Sequence, residues 1–215
     1  WGLNLRVEFV DSIPSTQEFL AAAVREGRIT PPFALAAKEQ TQGIGSRNNT
    51  WSGLEGNLFF SFCMSETALP GDLRGESASI YFSMIMREML AARGSRIWLK
   101  WPNDFYVGDK KIGGTLTTRV GEIYVCGMGI NLKNAPQNAG ILDIEVSPSV
   151  AVGEFCKRLQ TAPSWAEIFK KFEIEFEKSR EFITHFEGEE ILLKEAKLLP
   201  DGSLEVDGRR VFSLR

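Results

Sequence analysis

Residues 100–116 read Lys-Trp-Pro-Asn-Asp-Phe-Tyr-Val-Gly-Asp-Lys-Lys-Ile-Gly-Gly-Thr-Leu. A short polar turn, Pro102 to Asp104, runs into a hairpin whose return strand opens with lysine and continues with the pair Gly113-Gly114. An ammonium fixed at such a place could stabilise charge growing on a ligand's oxygens. A nearby carboxylate could orient an amine and take its proton. Adjacent glycines let a ligand lie against the strand backbone. By residue type alone, Lys111 fits a solvated turn lysine better than a catalytic one. Asp104 is equally an Asx-type turn residue bonding its own backbone.

Three other segments carry residue types suited to ligands. Gln40-Thr-Gln-Gly-Ile-Gly-Ser-Arg-Asn-Asn-Thr-Trp51 combines glycines, whose backbone N–H groups can face an anion, with Arg47, a bidentate phosphate partner. It lacks the Gly-Lys-Ser/Thr ending of a Walker loop, and taken alone it fits a surface loop better. Cys126-Gly-Met-Gly-Ile-Asn131 ends an apolar run, where close strand packing explains the glycines well. Ser15-Thr16 precedes Glu18 in a capping-box pattern that accounts for Ser15 without any ligand.

Taken together and in this order, the four segments resemble biotin–protein ligases. The Lys-Trp-Pro-Asn-Asp run at 100–104, followed by Lys111 and Gly114, is similar to that family's signature and active-site lysine. The resemblance implies activation of biotin with Mg·ATP to biotinyl-5′-adenylate, then transfer to a lysine of a carrier such as the biotin carboxyl carrier domain of a carboxylase. It assigns Lys111 to the phosphoryl oxygens and the biotin carboxylate, and Asp104 to the acceptor lysine, whose ordinary pKa of about 10.4 leaves it protonated at neutral pH. It implies biotin contacts from Ser15, Thr16, Gln40, Gly43, Ile44, Lys111, Gly114, Gly127 and Gly129. Contacts to ATP or the adenylate fall to Ser46, Arg47, Asn48, Trp51, Asn103, Lys111 and Asn131. Biotin, ATP and Mg²⁺ are thus the expected ligands, with no resident metal site.

The implied fold is α+β, a mixed sheet flanked by helices like a class II synthetase catalytic domain. Residues 1–186 would form that domain, and residues 187–215 a small SH3-like β-unit. The chain starts about ten residues before the first motif, so the expectation is a ligase of the class lacking an N-terminal DNA-binding domain.

The totals agree with such a reading. In 215 residues, 43% hydrophobic and 25% charged content are ordinary globular values. With 25 basic and 28 acidic residues the formal charge is −3, and no Lys/Arg run stands out, which argues against nucleic acid or membrane partners. No signal peptide or long apolar run is present. Cys63, Cys126 and Cys156 are far apart and in apolar surroundings, as reduced thiols of a cytoplasmic protein would be. A single histidine, His185, argues against a histidine-based zinc site and is expected at the end of an amphipathic helix. A homodimer is left open.

Hydrophobic spacing predicts strands at 6–10, 34–38, 57–64, 97–100, 105–107, 112–118 and 123–130, and short strands at 190–198, 204–206 and 211–214. Helices are expected after Ser15, with Phe19, Leu20, Ala23 and Val24 inward, and over 77–93, apolar nearly all round. Two more follow, at 150–159 and from the Ser164/Glu167 capping box with Trp165, Ile168, Phe169, Phe172 and Phe176 on one face.

Two alternatives remain. A lipoate ligase or octanoyltransferase shares the implied fold, but its double-arginine, triple-glycine region is absent. A non-catalytic module that holds a carrier domain or nucleotide is kept open by departures in the glycine loop. There Ile44, Ser46 and Asn49 stand where the family commonly has arginine, and Asn48 replaces a frequent glycine. Fewer positive charges hold the adenylate phosphate less tightly, so biotinyl-adenylate should dissociate faster here than from an arginine-rich relative. Equal off-rates in a trapping assay would refute this.

Overall fold

The computed structural model describes residues 5–45, 51, 53–161, 163–186 and 189–212. Ser46, Arg47, Asn48 and Asn49 lie outside these, as does the end of the expected strand 211–214.

Seven strands make one mixed sheet: β1 (Arg6–Ile13), β2 (Phe33–Gln40), β3 (Leu58–Ser65), β4 (Trp98–Lys100), β5 (Asp104–Val107), β6 (Lys110–Val120) and β7 (Ile123–Ile130). Their spatial order is β1-β2-β3-β7-β6-β5-β4, with β1 and β2 parallel and every other pair antiparallel. Among the described residues, four α-helices flank it: α1 (Thr16–Arg25), α2 (Ala78–Ala92), α3 (Pro148–Gln160) and α4 (Trp165–Phe176).

Alternation along the strands sends side chains to two unequal faces. Phe60, Phe62 and Met64 of β3 and Tyr124, Cys126 and Met128 of β7 join residues of α2, α3 and α4 in the main core. The opposite face holds a smaller cluster of Leu20 and Val24 from α1 with Phe33, Leu35, Cys63 and Val125. Burial raises the Cys63 thiol to about 11 and Cys126 and Cys156 to about 12, so all three are unreactive as thiolates.

α1 starts where the Ser15 hydroxyl accepts the Glu18 N–H at 3.3 Å. Its inward stripe is Thr16, Gln17, Leu20, Ala23 and Val24. Phe19, expected inside, is instead 39% exposed and lies beneath the Arg28 guanidinium, because it sits on the flank of that stripe. At Ser164 the full reciprocal capping box forms with Glu167.

The C-terminal region departs most from expectation. α4 ends at Phe176, a 3₁₀ turn covers Glu177–Glu181, and His185 lies on strand β8 (Ile183–Phe186), opposite Glu190 of β9 (Glu189–Leu192). The β-branched pair Ile183-Thr184 and this cross-strand pairing override the helical pattern upstream. The expected strand 190–198 splits at a turn into β9 and β10 (Lys197–Leu198). β10 pairs with β11 (Leu204–Val206), and β11 with β12 (Arg209–Val211), in a three-stranded sheet.

The β10–β11 turn is organised by the Asp201 carboxylate. It accepts the Ser203 amide at 3.1 Å and hydroxyl at 2.6 Å and pairs with Arg210. Burial alone would raise this carboxyl, but the Ser203 and Arg210 contacts outweigh it and hold Asp201 below the usual carboxylate range. A depressed folded-state pKa stabilises the fold above the unfolded value and is lost as pH falls through the folded one. Asp201→Asn should therefore melt below wild type at pH 7, with the gap closing as acid protonates the wild-type carboxylate. Thermal melts across pH 7 to 3 check this.

Candidate active site

α1 covers only part of its face of the sheet. Beside it lies a narrow cleft of about 60 Å³, smaller than the ~300–1,000 Å³ common for small-molecule sites. Gly127 and Gly129 of β7 and Gly114 of β6 line it, and Gly114 stands directly opposite Gly129 in the ladder. Gly127 and Gly129 have no room for a side chain, and Gly114 has little. A Cβ on Gly127 would come 2.8 Å from Gln17 Oε1, and one on Gly129 would come 2.7 Å from the Trp51 indole. On Gly114 it would come 3.3 Å from Asp104 Oδ1. Trp51 thus lies against the Gly129 backbone, and its backbone N–H donates to the Gly43 carbonyl at 2.7 Å, holding Gly43 and Trp51 together.

One wall is polar and uncharged. The Thr16 amide and hydroxyl both donate to Gln40 Oε1, at 2.8 and 2.9 Å, and the Thr16 hydroxyl also meets Ser61 Oγ at 2.8 Å. Both donors of Thr16 are therefore engaged within the protein. Gln17 reaches past them: its Nε2 donates to the Val125 carbonyl at 3.0 Å and to Thr118 Oγ1 at 3.2 Å. That fixes the amide with Oε1 buried and without a partner next to the Gly127 backbone. A buried, unpaired acceptor is costly unless something else binds it.

The opposite wall is charged. Lys111 Nζ and Asp104 Oδ1 lie 2.6 Å apart, the lysine side chain 39% and the aspartate 20% exposed. Strict alternation from Gly114 would bring Ile112 into the cleft, not Lys111. A register shift between Phe105 and Tyr106 breaks the count, leaving Ile112 fully buried and Lys111 on the cleft wall. Tyr106, which burial and then the Asp104 charge push up to about 12, stays neutral behind the pair.

Asn103 holds the turn to β6: its carbonyl accepts the Thr115 N–H at 2.9 Å and its Nδ2 donates to the Thr115 carbonyl. Ser83 of α2 in turn donates to Thr115 Oγ1 at 2.8 Å.

The cleft thus brings together Ser15, Thr16, Gln40, Ile44, Trp51, Asn103, Asp104, Lys111, Gly114, Gly127 and Gly129 from distant stretches of chain. Gly43 and Asn131 stand outside its lining. Asn131 donates to the Gly140 carbonyl at 3.1 Å and through its backbone ties β6 to the loop after β7. Gln17, Ser61, Thr115, Leu116 and Met128 also line the cleft without having been singled out from sequence. Only Gln17 carried a signal, as the residue directly after Ser15-Thr16. Among the described residues no group of three or more His, Cys, Asp or Glu side chains could hold a metal ion, and no helix is long and apolar enough to cross a membrane.

Residues 9–133 match the model of the Biotin/lipoate A/B protein ligase family. The bifunctional ligase/repressor BirA of Bacillus subtilis is 27% identical over 183 residues, 81% of this chain and 54% of that protein. The biotin–[acetyl-CoA-carboxylase] ligase of Paracoccus denitrificans is 27% identical over 126 residues, 55% of this chain and 51% of that protein. The chain spans about half the length of the curated relatives it matches. Among solved structures, a biotin acetyl coenzyme A carboxylase synthetase from Helicobacter pylori with bound biotinylated ATP is 36% identical, with a TM-score of 0.92 over 97% of this chain and 100% of that one.

The glycine floor yields a direct test. Gly129→Ala should push the Trp51 indole outward and increase acrylamide quenching of tryptophan emission, whereas Gly71→Ala, which meets nothing within 4 Å, should leave it unchanged. Equal quenching in both variants would contradict the packing described.

Proposed function

Because the chain belongs to the biotin/lipoate A/B protein ligase family, we propose that it is a biotin–protein ligase, forming biotinyl-5′-AMP from biotin and ATP and passing biotin to a lysine of a biotin carboxyl carrier domain. The observation that carries this reading is one ammonium–carboxylate pair, Lys111–Asp104, facing a glycine-floored cleft whose other polar groups are amides and hydroxyls. Biotin matches that division. Its ureido group needs both an acceptor and donors in an uncharged environment, and its carboxylate needs a cation at the far end.

Gln17 Oε1 supplies an acceptor for a ureido N–H. The Gln40 amide, its oxygen occupied by Thr16, presents its nitrogen as a donor to the ureido carbonyl, with Ser15 beside it. Gly127, Gly129 and Gly114 let the bicyclic ring and the chain lie flat on the strands, with Ile44 and Leu116 as apolar neighbours. Trp51, and Arg47 by its residue type, are assigned to the nucleotide. Mg²⁺ arrives with ATP as part of the substrate.

In the first step a biotin carboxylate oxygen attacks the α-phosphorus and the bond to the pyrophosphate oxygen breaks. Lys111 swings from Asp104 to the equatorial phosphoryl oxygens, where charge grows. One such donor is worth about 3 kcal/mol in the transition state. The step also converts an oxide, a very poor leaving group, into AMP, a good one. In the second step the acceptor lysine's amine attacks the biotinyl carbonyl, AMP leaves, and the amine proton passes to Asp104, freed by the movement of Lys111. Asn103 orients the turn that carries Asp104.

The catalytic groups all fall within residues 1–186, and the short strands that follow pack on the same core, β9 pairing with β8 across that boundary. Three buried, unreactive thiols accord with a cytoplasmic location.

The test is biotin-dependent ATP–pyrophosphate exchange, with lipoate and octanoate as controls. Exchange should occur with biotin alone and fall on the order of 10²–10³-fold in Lys111→Ala. Asp104→Asn should leave exchange largely intact and slow transfer from preformed adenylate to carrier. Exchange with lipoate in place of biotin, or none with any acid in folded protein, would overturn the reading.

A further inference from the structure

The Pro200–Gly202 turn lies far from the cleft in sequence, yet three consecutive carbonyls of it are bound by side chains from three parts of the main fold. Trp165 Nε1 donates to the Pro200 carbonyl at 2.9 Å, Ser77 Oγ to Asp201 at 2.8 Å and Trp101 Nε1 to Gly202 at 2.8 Å. The seat is tight. Gly202 has φ +81°, and a Cβ there would stand 2.6 Å from Ile80 Cδ1.

Of the three donors, only Trp101 belongs to the segment that carries the reactive groups. It is buried, and both of its N–H groups are held from outside that segment. The indole N–H binds Gly202, and the backbone N–H donates to Ser179 Oγ at 3.0 Å, itself fully buried. Two residues on, Asn103 is bonded to Thr115. The turn bearing Asp104 is therefore strung between two anchors, one on β6 and one on residues 179 and 202. Slack in either anchor moves the Asp104 carboxylate relative to Lys111, and a misplacement of about 1 Å can cost on the order of 100-fold in rate.

We infer that the Pro200–Gly202 turn positions the active-site turn through Trp101, so the C-terminal unit sets reaction geometry as well as stability. Trp101 and Ser179 are positioning residues, acting through Asn103 and Asp104. This deepens the ligase reading and rests on it for its kinetic consequence.

The three equivalent bonds supply their own control. Trp101→Phe, Trp165→Phe and Ser77→Ala each remove one donor to the same turn, and all three should lower the melting temperature. Only Trp101→Phe should lower kcat for transfer of biotin from preformed adenylate to a biotin carboxyl carrier domain, by about tenfold, with KM for the carrier unchanged. Ser179→Ala, which frees the other N–H of Trp101, should repeat that loss and serves if Trp101→Phe fails to fold. In ligand-free protein the Thr115 amide should exchange with deuterium faster in Trp101→Phe and Ser179→Ala than in Trp165→Phe or Ser77→Ala. Equal kcat across all four variants, with equal Thr115 protection, would overturn the inference. If wild type shows no biotin-dependent exchange, the ligase reading falls, and the amide-exchange comparison still decides the positioning role.

Discussion

The molecule is organised by an imbalance in how its sheet is covered. Six spacings of ~4.8 Å make the sheet roughly 29 Å wide. α2, α3 and α4 cover one face. On the other, α1 has ten residues, about 15 Å of helix and some 10 Å across. Part of that face must stay uncovered, and ordinary strand side chains there would form an exposed apolar patch. Glycines at 114, 127 and 129 remove the side chains and turn the uncovered area into a depth. The cleft is thus the space between a short helix and a wide sheet, bordered on a third side by Ile44, Gly45 and Trp51.

This also explains the division of chemistry. Residues on and below α1 (Thr16, Gln17 and, across the sheet, Ser61) approach the cleft from a buried helix start, where a charge would be costly to desolvate. They are hydroxyls and amides for that reason. The charged pair sits on the β5–β6 hairpin, where the sheet nears its edge and water still reaches Lys111. A ligand with a neutral polar head and an ionised tail fits this gradient in one direction only.

Much of this was legible in the sequence because it rests on local rules. The hydrophobic periods located the seven main strands and four helices, and glycine runs with a lysine marked the hairpin. Two features were not legible. The register shift beside Tyr106 decides which of Lys111 and Ile112 faces the cleft, and nothing in the alternation of residues 110–116 announces it. Gln17 gains its role from Val125 and Thr118, more than a hundred residues away, which pin its amide nitrogen. The C-terminal errors have a different cause. Strands β8 to β12 are two to four residues long, too short for a period to be read, and His185 inherited its helical assignment from the run before it.

That shortness has a structural consequence. Strands of this length cannot make an independent core, and Leu193, Ala196, Leu204 and Val211 are buried in the same cluster as α2 and α4. A unit that depends on the main core must meet it through a polar connection as well, because its tight turn buries backbone carbonyls that need donors. Trp165, Ser77 and Trp101 provide them. Once Trp101 is recruited for that purpose, the segment it introduces cannot shift without unseating the Gly202 carbonyl. The same bond that completes the C-terminal fold therefore restrains the turn on which Asp104 stands.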